Sequence, residues 1–184
     1  MRFGIVAIPT VHEADGLFER AIGFAARVEA LGFAGLWTTD AFARGSSTLD
    51  PLLFLSALCQ ATERIELGTC VTQVPLRHPV EQAHRAQTIN LLSRGRFRFG
   101  VGSGSTKHDF DAVQIDYERR FTLLPDAKRS ISVSSARYSC SRVFRNVETI
   151  SSVPRSLIAS AANTVASPPS ATISVRIHSK SSRH

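Results

Sequence analysis

Residues 100–106 of this chain, GVGSGST, are the stretch best suited to hold a ligand. Glycines leave backbone N–H groups uncovered, and the hydroxyls of Ser103 and Ser105 stand beside them, a composition that accepts a phosphate or lies against a flat ring. The same composition also suits an ordinary strand-to-helix turn. Asp40 ends the run Trp37-Thr38-Thr39-Asp40, where its carboxylate either faces a ligand or caps the following loop. Ala41 follows it and has no proton to give or take. Cys70 has neither a CxxC partner nor a His close by, so it reads as a small packing residue rather than a nucleophile. His12 and His108 fall in loops, His78 precedes Pro79 at a helix entry, and His84 sits on a helix. No cluster of His, Cys, Asp and Glu has metal-ligand spacing, and no metal is expected.

The elements that must position these residues follow from hydrophobic periodicity. Residues 2–8 (RFGIVAI) form a short apolar run ending at Pro9, a buried strand signal. Leu17, Ala21, Phe24, Ala25, Val28 and Leu31 then recur at helical spacing, and Gly32 follows as the helix stop. Residues 33–39 read as a second strand. Asp50-Pro51 is a helix-start pair, with an N-capping carboxylate before a proline whose missing N–H costs nothing there. Residues 65–71 form a third strand, and His78-Pro79 opens a helix to Leu92 that Gly95 closes. Residues 96–102 form a fourth, with Phe97, Phe99 and Val101 on one face against flanking helices. Arg96 and Arg98 flank Phe97 and are expected to pair with acidic residues on neighbouring strands.

The strands begin near residues 2, 33, 65 and 96, a repeat of about 31 residues that indicates βαβ units and a parallel sheet in the order one to four. The fold class expected is α/β, of (β/α)8 TIM-barrel type, cut to about the first four of the eight units that a barrel of about 250 residues contains. A doubly wound sheet has the same local pattern but binds its nucleotide at a Gly-rich turn after the first strand, and Ile8-Pro9-Thr10 has none. Sites in parallel barrels form at the C-terminal strand ends, which here are residues 9–12, 40–44, 69–73 and 102–107.

Composition divides the chain at residue 127. Residues 1–127 carry 13 Lys/Arg against 14 Asp/Glu, whereas residues 128–184 carry nine against Glu148 alone. The overall net charge of +7 therefore belongs to the tail, and no nucleic-acid surface is expected on the first part. All eleven glycines lie at or before Gly104, and the last 57 residues hold 16 serines and the single leucine Leu157. Residues 1–127 thus read as a partial barrel domain, and 128–184 as an irregular Ser/Arg-rich tail: an out-of-frame product, a disordered segment or a basic arm. Short alternations such as TISVRI have strand character without an evident partner. Three scattered cysteines and no signal-peptide pattern suggest a reduced, cytoplasmic setting, with no membrane partner.

Residues 65–104, IELGTCVTQVPLRHPVEQAHRAQTINLLSRGRFRFGVGSG, resemble the luciferase-like flavin-dependent monooxygenases, the family of bacterial luciferase and the F420-dependent oxidoreductases. The matching features are LGT at a strand end, HPV-x-QA opening a helix, and S-x-GRFRFG-x-x-x-G on the next strand; GFAGLWTTD and DFDAVQIDYERRF extend the likeness on either side. The resemblance implies a flavin-dependent oxidoreductase or monooxygenase with FMN, or alternatively coenzyme F420, at the barrel mouth, and a small organic substrate into which molecular oxygen is incorporated. It implies cofactor contacts from Thr69, Cys70, Val71, Gly102, Ser103 and Gly104, and a non-prolyl cis peptide at Cys70–Val71, the alternative being a plain trans strand end. A flavin reductase is a candidate partner, and family members often dimerise. Asp40 is the candidate catalytic residue, because the His that many members carry after it is Ala41 here. The alternatives are a truncated remnant that binds flavin weakly or not at all, and a basic-tail adaptor.

Overall fold

The computed structural model describes residues 3–11, 14–41, 45, 47–137, 148–149 and 176–179. Its elements run β1 (Phe3–Ala7), α1 (Leu17–Ala30), β2 (Gly35–Thr38), α2 (Pro51–Leu58), β3 (Glu66–Thr69), β4 (Thr72–Gln73), a 3-10 turn (Val74–Leu76), α3 (Pro79–Leu92), β5 (Phe97–Arg98), β6 (Gly100–Gly102), α4 (Lys107–Ala112), a second 3-10 turn (Tyr117–Arg119), α5 (Arg120–Arg137), β7 (Glu148–Thr149) and β8 (Arg176–Ser179). Local chemistry sets the helix ends. The Asp50 carboxylate accepts the N–H of Leu52 at 2.9 Å and of Leu53 at 3.0 Å, with Pro51 in the first turn of α2. Gly32 takes φ +81° just beyond α1, a left-handed stop that a side chain disfavours.

The main sheet has the order β5-β3-β2-β1-β8, and β1, β2, β3 and β5 are mutually parallel. Gly4 pairs with Gly35, Gly35 with Glu66, and Leu67 with Phe97. This is the parallel order that the 31-residue repeat predicts. The expected fourth strand is divided, however, and the third ends at Thr69: β4, just beyond the expected third strand, and β6 leave the main sheet and form a second small parallel sheet in the order β4-β6-β7.

Alternation along the strands separates two faces. Ile5, Ala7, Leu36, Leu67 and Phe97 point toward the helices and pack with Ala25, Val28, Leu55, Leu58, Ala86 and Ile89 in one buried cluster that also holds Phe99 and Val101. The rings of Phe97 and Phe99 lie 5.8 Å apart. On the other face Trp37 lies across three glycines of adjacent strands. A Cβ at Gly4 or Gly35 would stand 2.9 Å from its Nε1, and one at Gly68 2.3 Å from its Cζ3. Only strands stripped of side chains there admit the indole.

Arg98 pairs with Glu66 on the neighbouring strand at 2.8 Å, as expected. Among the described residues Arg96 finds no acidic partner. Its guanidinium donates to the carbonyls of Thr62 (2.8 Å) and Ile65 (2.9 Å) and to Thr62 Oγ1 (2.9 Å), because the segment after α2 presents carbonyls where a strand carboxylate was expected. A carboxylate that sequence patterning did not single out holds the start of β3: Glu29 accepts the N–H groups of Glu63, Arg64 and Ile65 at 3.0, 2.8 and 3.0 Å.

Helix α5 crosses residue 127 and continues to Arg137, with Ala127 and Ile131 in the core. The core thus takes in residues on both sides of the compositional break. Most of 138–184 lies outside the described residues. Within it, β8 pairs antiparallel with β1, Phe3 opposite Ser179, and β7 pairs parallel with β6, so two tail segments do have strand partners. Among the described residues no helix is long and apolar enough to cross a membrane.

Candidate active site

Four segments converge where β2, β3, β4 and β6 end. Thr69 is fully buried, and its Oγ1 donates to the Gly100 carbonyl at 2.7 Å, joining the third and fourth units. The half-buried Cys70 donates its N–H to the Thr38 carbonyl at 2.8 Å, and the Cys70–Val71 peptide is cis. Segment 69–71 lies directly on β6: a Cβ at Gly100 would stand 2.0 Å from the Thr69 carbonyl oxygen, and one at Gly102 2.5 Å from Val71 Cγ2. The structure thus brings Thr69, Cys70, Val71 and Gly102 together, with Ser103 and Gly104 following on the same loop. Gly104 has φ +87°, and a Cβ there would meet Gln73 Oε1 and Phe110 Cε2, each at 2.7 Å. Phe110 is fully buried, edge-on to Tyr117 at 5.3 Å, and supports the loop from beneath. Phe42, the other aromatic considered for a pocket, lies outside the described residues.

Among the described residues, the Asp40 carboxylate is held by groups on β4 and the segment after it. Asp40 is 4% exposed, and its carboxylate accepts the Gln73 N–H at 2.9 Å and both terminal nitrogens of Arg77, one of them at 2.8 Å. The Ala41 carbonyl accepts the Thr48 hydroxyl instead. Gln73 Nε2 donates to the Asp40 carbonyl at 3.0 Å and to the buried Asp109 carboxylate at 2.9 Å. Arg77 also lies 3.7 Å from Asp50, which Arg85 approaches at 3.6 Å. Burial works to lower the Arg77 pKa, but its bond to Asp40 and the charges of Asp40, Asp50 and Asp109 outweigh this and raise it above its ordinary value.

Gln73, Arg77 and Asp109 lie within segments that the sequence reading quotes, but it gives none of them a role of its own. Asp40 and Arg77 are 37 residues apart, and Gln73 and Asp109 36. Both separations slightly exceed one βα repeat, and that is the available signal: polar residues just past consecutive strand ends share one rim. An open cleft of about 390 Å³ lies at the opposite strand ends, lined by Phe3, Glu29, Phe33, Ala34 and Arg64.

Known proteins carry the same architecture. The 4-hydroxyprotoasukamycin monooxygenase of Streptomyces nodosus subsp. asukaensis is 36% identical over 98 residues, 53% of this chain and 26% of that protein. The crystal structure of monooxygenase RslO1 from Streptomyces bottropensis superposes with a TM-score of 0.66 at 26% identity, over 72% of this chain and 42% of that one. The oxygenating constituent of 3,6-diketocamphane monooxygenase from Pseudomonas putida, solved in complex with FMN, shares the fold at TM-score 0.66 and 16% identity, over 72% of this chain and 39% of that one. F420-dependent enzymes also occur among the similar proteins. The chain spans about a quarter to two-fifths of the length of these relatives. A profile of the luciferase-like monooxygenases matches residues 1–158, and with its parallel βα repeat and converging strand ends the chain belongs to that family.

Proposed function

We propose that this chain presents the flavin-facing strand ends of a flavin-dependent oxidoreductase, built as the first four units of a barrel, which takes FMN and oxygenates a small organic substrate; coenzyme F420 is the alternative cofactor. The observation that carries this reading is the glycine cradle. Gly100 and Gly102 let segment 69–71 lie flat on β6, and any side chain at either would fill that contact. In this reading Thr69, Cys70 and Val71 form the floor beneath the ring, and Gly102, Ser103 and Gly104 hold its edge through backbone N–H groups and a hydroxyl. A bound flavin supplies the redox chemistry; the chain binds it, orients it and excludes water. Asp40 acts here as an anchor for Arg77 and β4, and Ala41 brings no proton to the reaction. A separate flavin reductase as the source of reduced flavin and pairing with a second copy belong to the same proposal.

Ala41 favours one competing reading, a remnant that binds flavin weakly or not at all. Titration with FMN, reduced FMN and F420, followed by oxygen consumption with NADH and a flavin reductase, separates the two. Micromolar binding of one flavin is expected, lost in Gly102→Val. Micromolar binding with product above the free-flavin background identifies an enzyme, weak or no binding without product identifies the remnant, and no binding of any flavin also removes the flavin-holding role proposed here.

A further inference from the structure

Gln73 stands where three elements of the site meet. Its N–H fastens β4 to Asp40 after β2, and its side-chain nitrogen spends both hydrogens, one on the Asp40 carbonyl at 3.0 Å and one on Asp109 in α4 at 2.9 Å. The amide orientation is thereby settled, since reversing it would set Oε1 against two acceptors. Oε1 therefore turns the other way. It is sealed from solvent, has no hydrogen-bond partner among the described residues, and lies 2.7 Å from where a Cβ on Gly104 would stand. Gln73 is 2% exposed, and a buried acceptor left without a donor is destabilising. That atom favours any arrangement bringing an N–H to it, and the backbone beside it is the glycine of the ligand loop.

We propose that Gln73 is a positioning residue of the site: it clamps Asp40 to Asp109 and, through Oε1, governs the conformation of residues 102–106. This rests on the flavin reading above for its effect on the cofactor, and on geometry alone for the clamp. The charged groups around it come from other elements: Asp40 after β2, Asp50 at the start of α2, Arg77 and Arg85 before and within α3, and Asp109 in α4. The spot demands a neutral donor, because a carboxylate there would meet Asp40 and Asp109.

The test compares the full chain with Gln73→Met and Gln73→Glu, reading amide hydrogen exchange over residues 100–112 and flavin affinity between about pH 5 and pH 8. In Gln73→Met, exchange over residues 102–112 rises about tenfold and flavin affinity falls about tenfold at every pH. Gln73→Glu is equally weak at pH 8 but recovers toward pH 5, where the introduced carboxyl gains a proton and donates to Asp109 in place of Nε2. The unaltered chain stays flat across the range. Unchanged exchange and affinity in Gln73→Met, or a pH-independent loss in Gln73→Glu, overturns the proposal. Should the unaltered chain bind no flavin, the flavin reading falls, and exchange in Gln73→Met alone decides the clamp: faster upholds it, unchanged overturns it.

Discussion

Glu29 spends one carboxylate on three backbone N–H groups at the start of β3, and its side chain is 11% exposed. Burial works to raise its pKa, but those three bonds and Arg64 outweigh it, and the result lies below the ordinary 4.5. A carboxylate with a depressed folded pKa contributes stability that is present above the unfolded pKa and is lost as pH falls through the folded value. Glu29→Gln should therefore cost about 2 kcal/mol at neutral pH. Urea unfolding at pH 7 and pH 3 should show that difference shrinking in acid. Arg77 presents the complementary case, a half-buried cation holding a buried anion. Arg77→Met leaves the Asp40 carboxylate uncompensated, and a loss of about 3 kcal/mol in chemical denaturation is expected. Asp40→Asn combined with Arg77→Met should lose less than the sum of the two single changes.

Among the elements, α5 and β6 invite the sharpest tests. Ile131 is 1% exposed and lies beyond the compositional break, so Ile131→Ala should cost about 2–4 kcal/mol, measured as a lowered urea midpoint with an unchanged slope. A change below about 0.5 kcal/mol would mean that α5 ends functionally near residue 127. At β6 the close approach of Thr69 is backbone against backbone. Gly100→Ala should destabilise by about 3 kcal/mol in thermal unfolding, more than Gly102→Ala, whose Cβ meets only the movable Val71 side chain. The helix limits were legible because caps are local: Asp50-Pro51 starts α2 and Gly32 stops α1 through groups a few residues apart. The early end of the third strand and the division of the fourth were not. Both follow from how segment 69–73 crosses β6, a contact about 31 residues away in sequence.

For the molecule as a whole, four parallel strands would leave a bare edge at β1, and unpaired edges recruit other chains. Here β8 occupies that edge, with Ile177 opposite Ile5. Proline at register position 177 has no N–H for a ladder, so Ile177→Pro should expose the edge and raise the sedimentation-average mass with concentration. An unchanged monomer–oligomer balance would mean that β8 does not guard the edge in solution.

Periodicity alone determined the four βα units, their parallel order and the rim on which candidate site residues collect, because these depend on burial repeating at fixed intervals and on caps within one turn. It also placed Phe97, Phe99 and Val101 in the core. Tertiary structure decided what each polar side chain touches. Arg98 found Glu66 as expected, while Arg96 turned to carbonyls after α2. Asp40 became an anchor, and Gln73 a bridge between partners more than 30 residues away in either direction. Those pairings depend on the stagger between successive units at the rim, and on α5 lying across α3 to bury Ile131. A hydrogen bond is decided within tenths of an ångström, and only the packed units fix distances that finely.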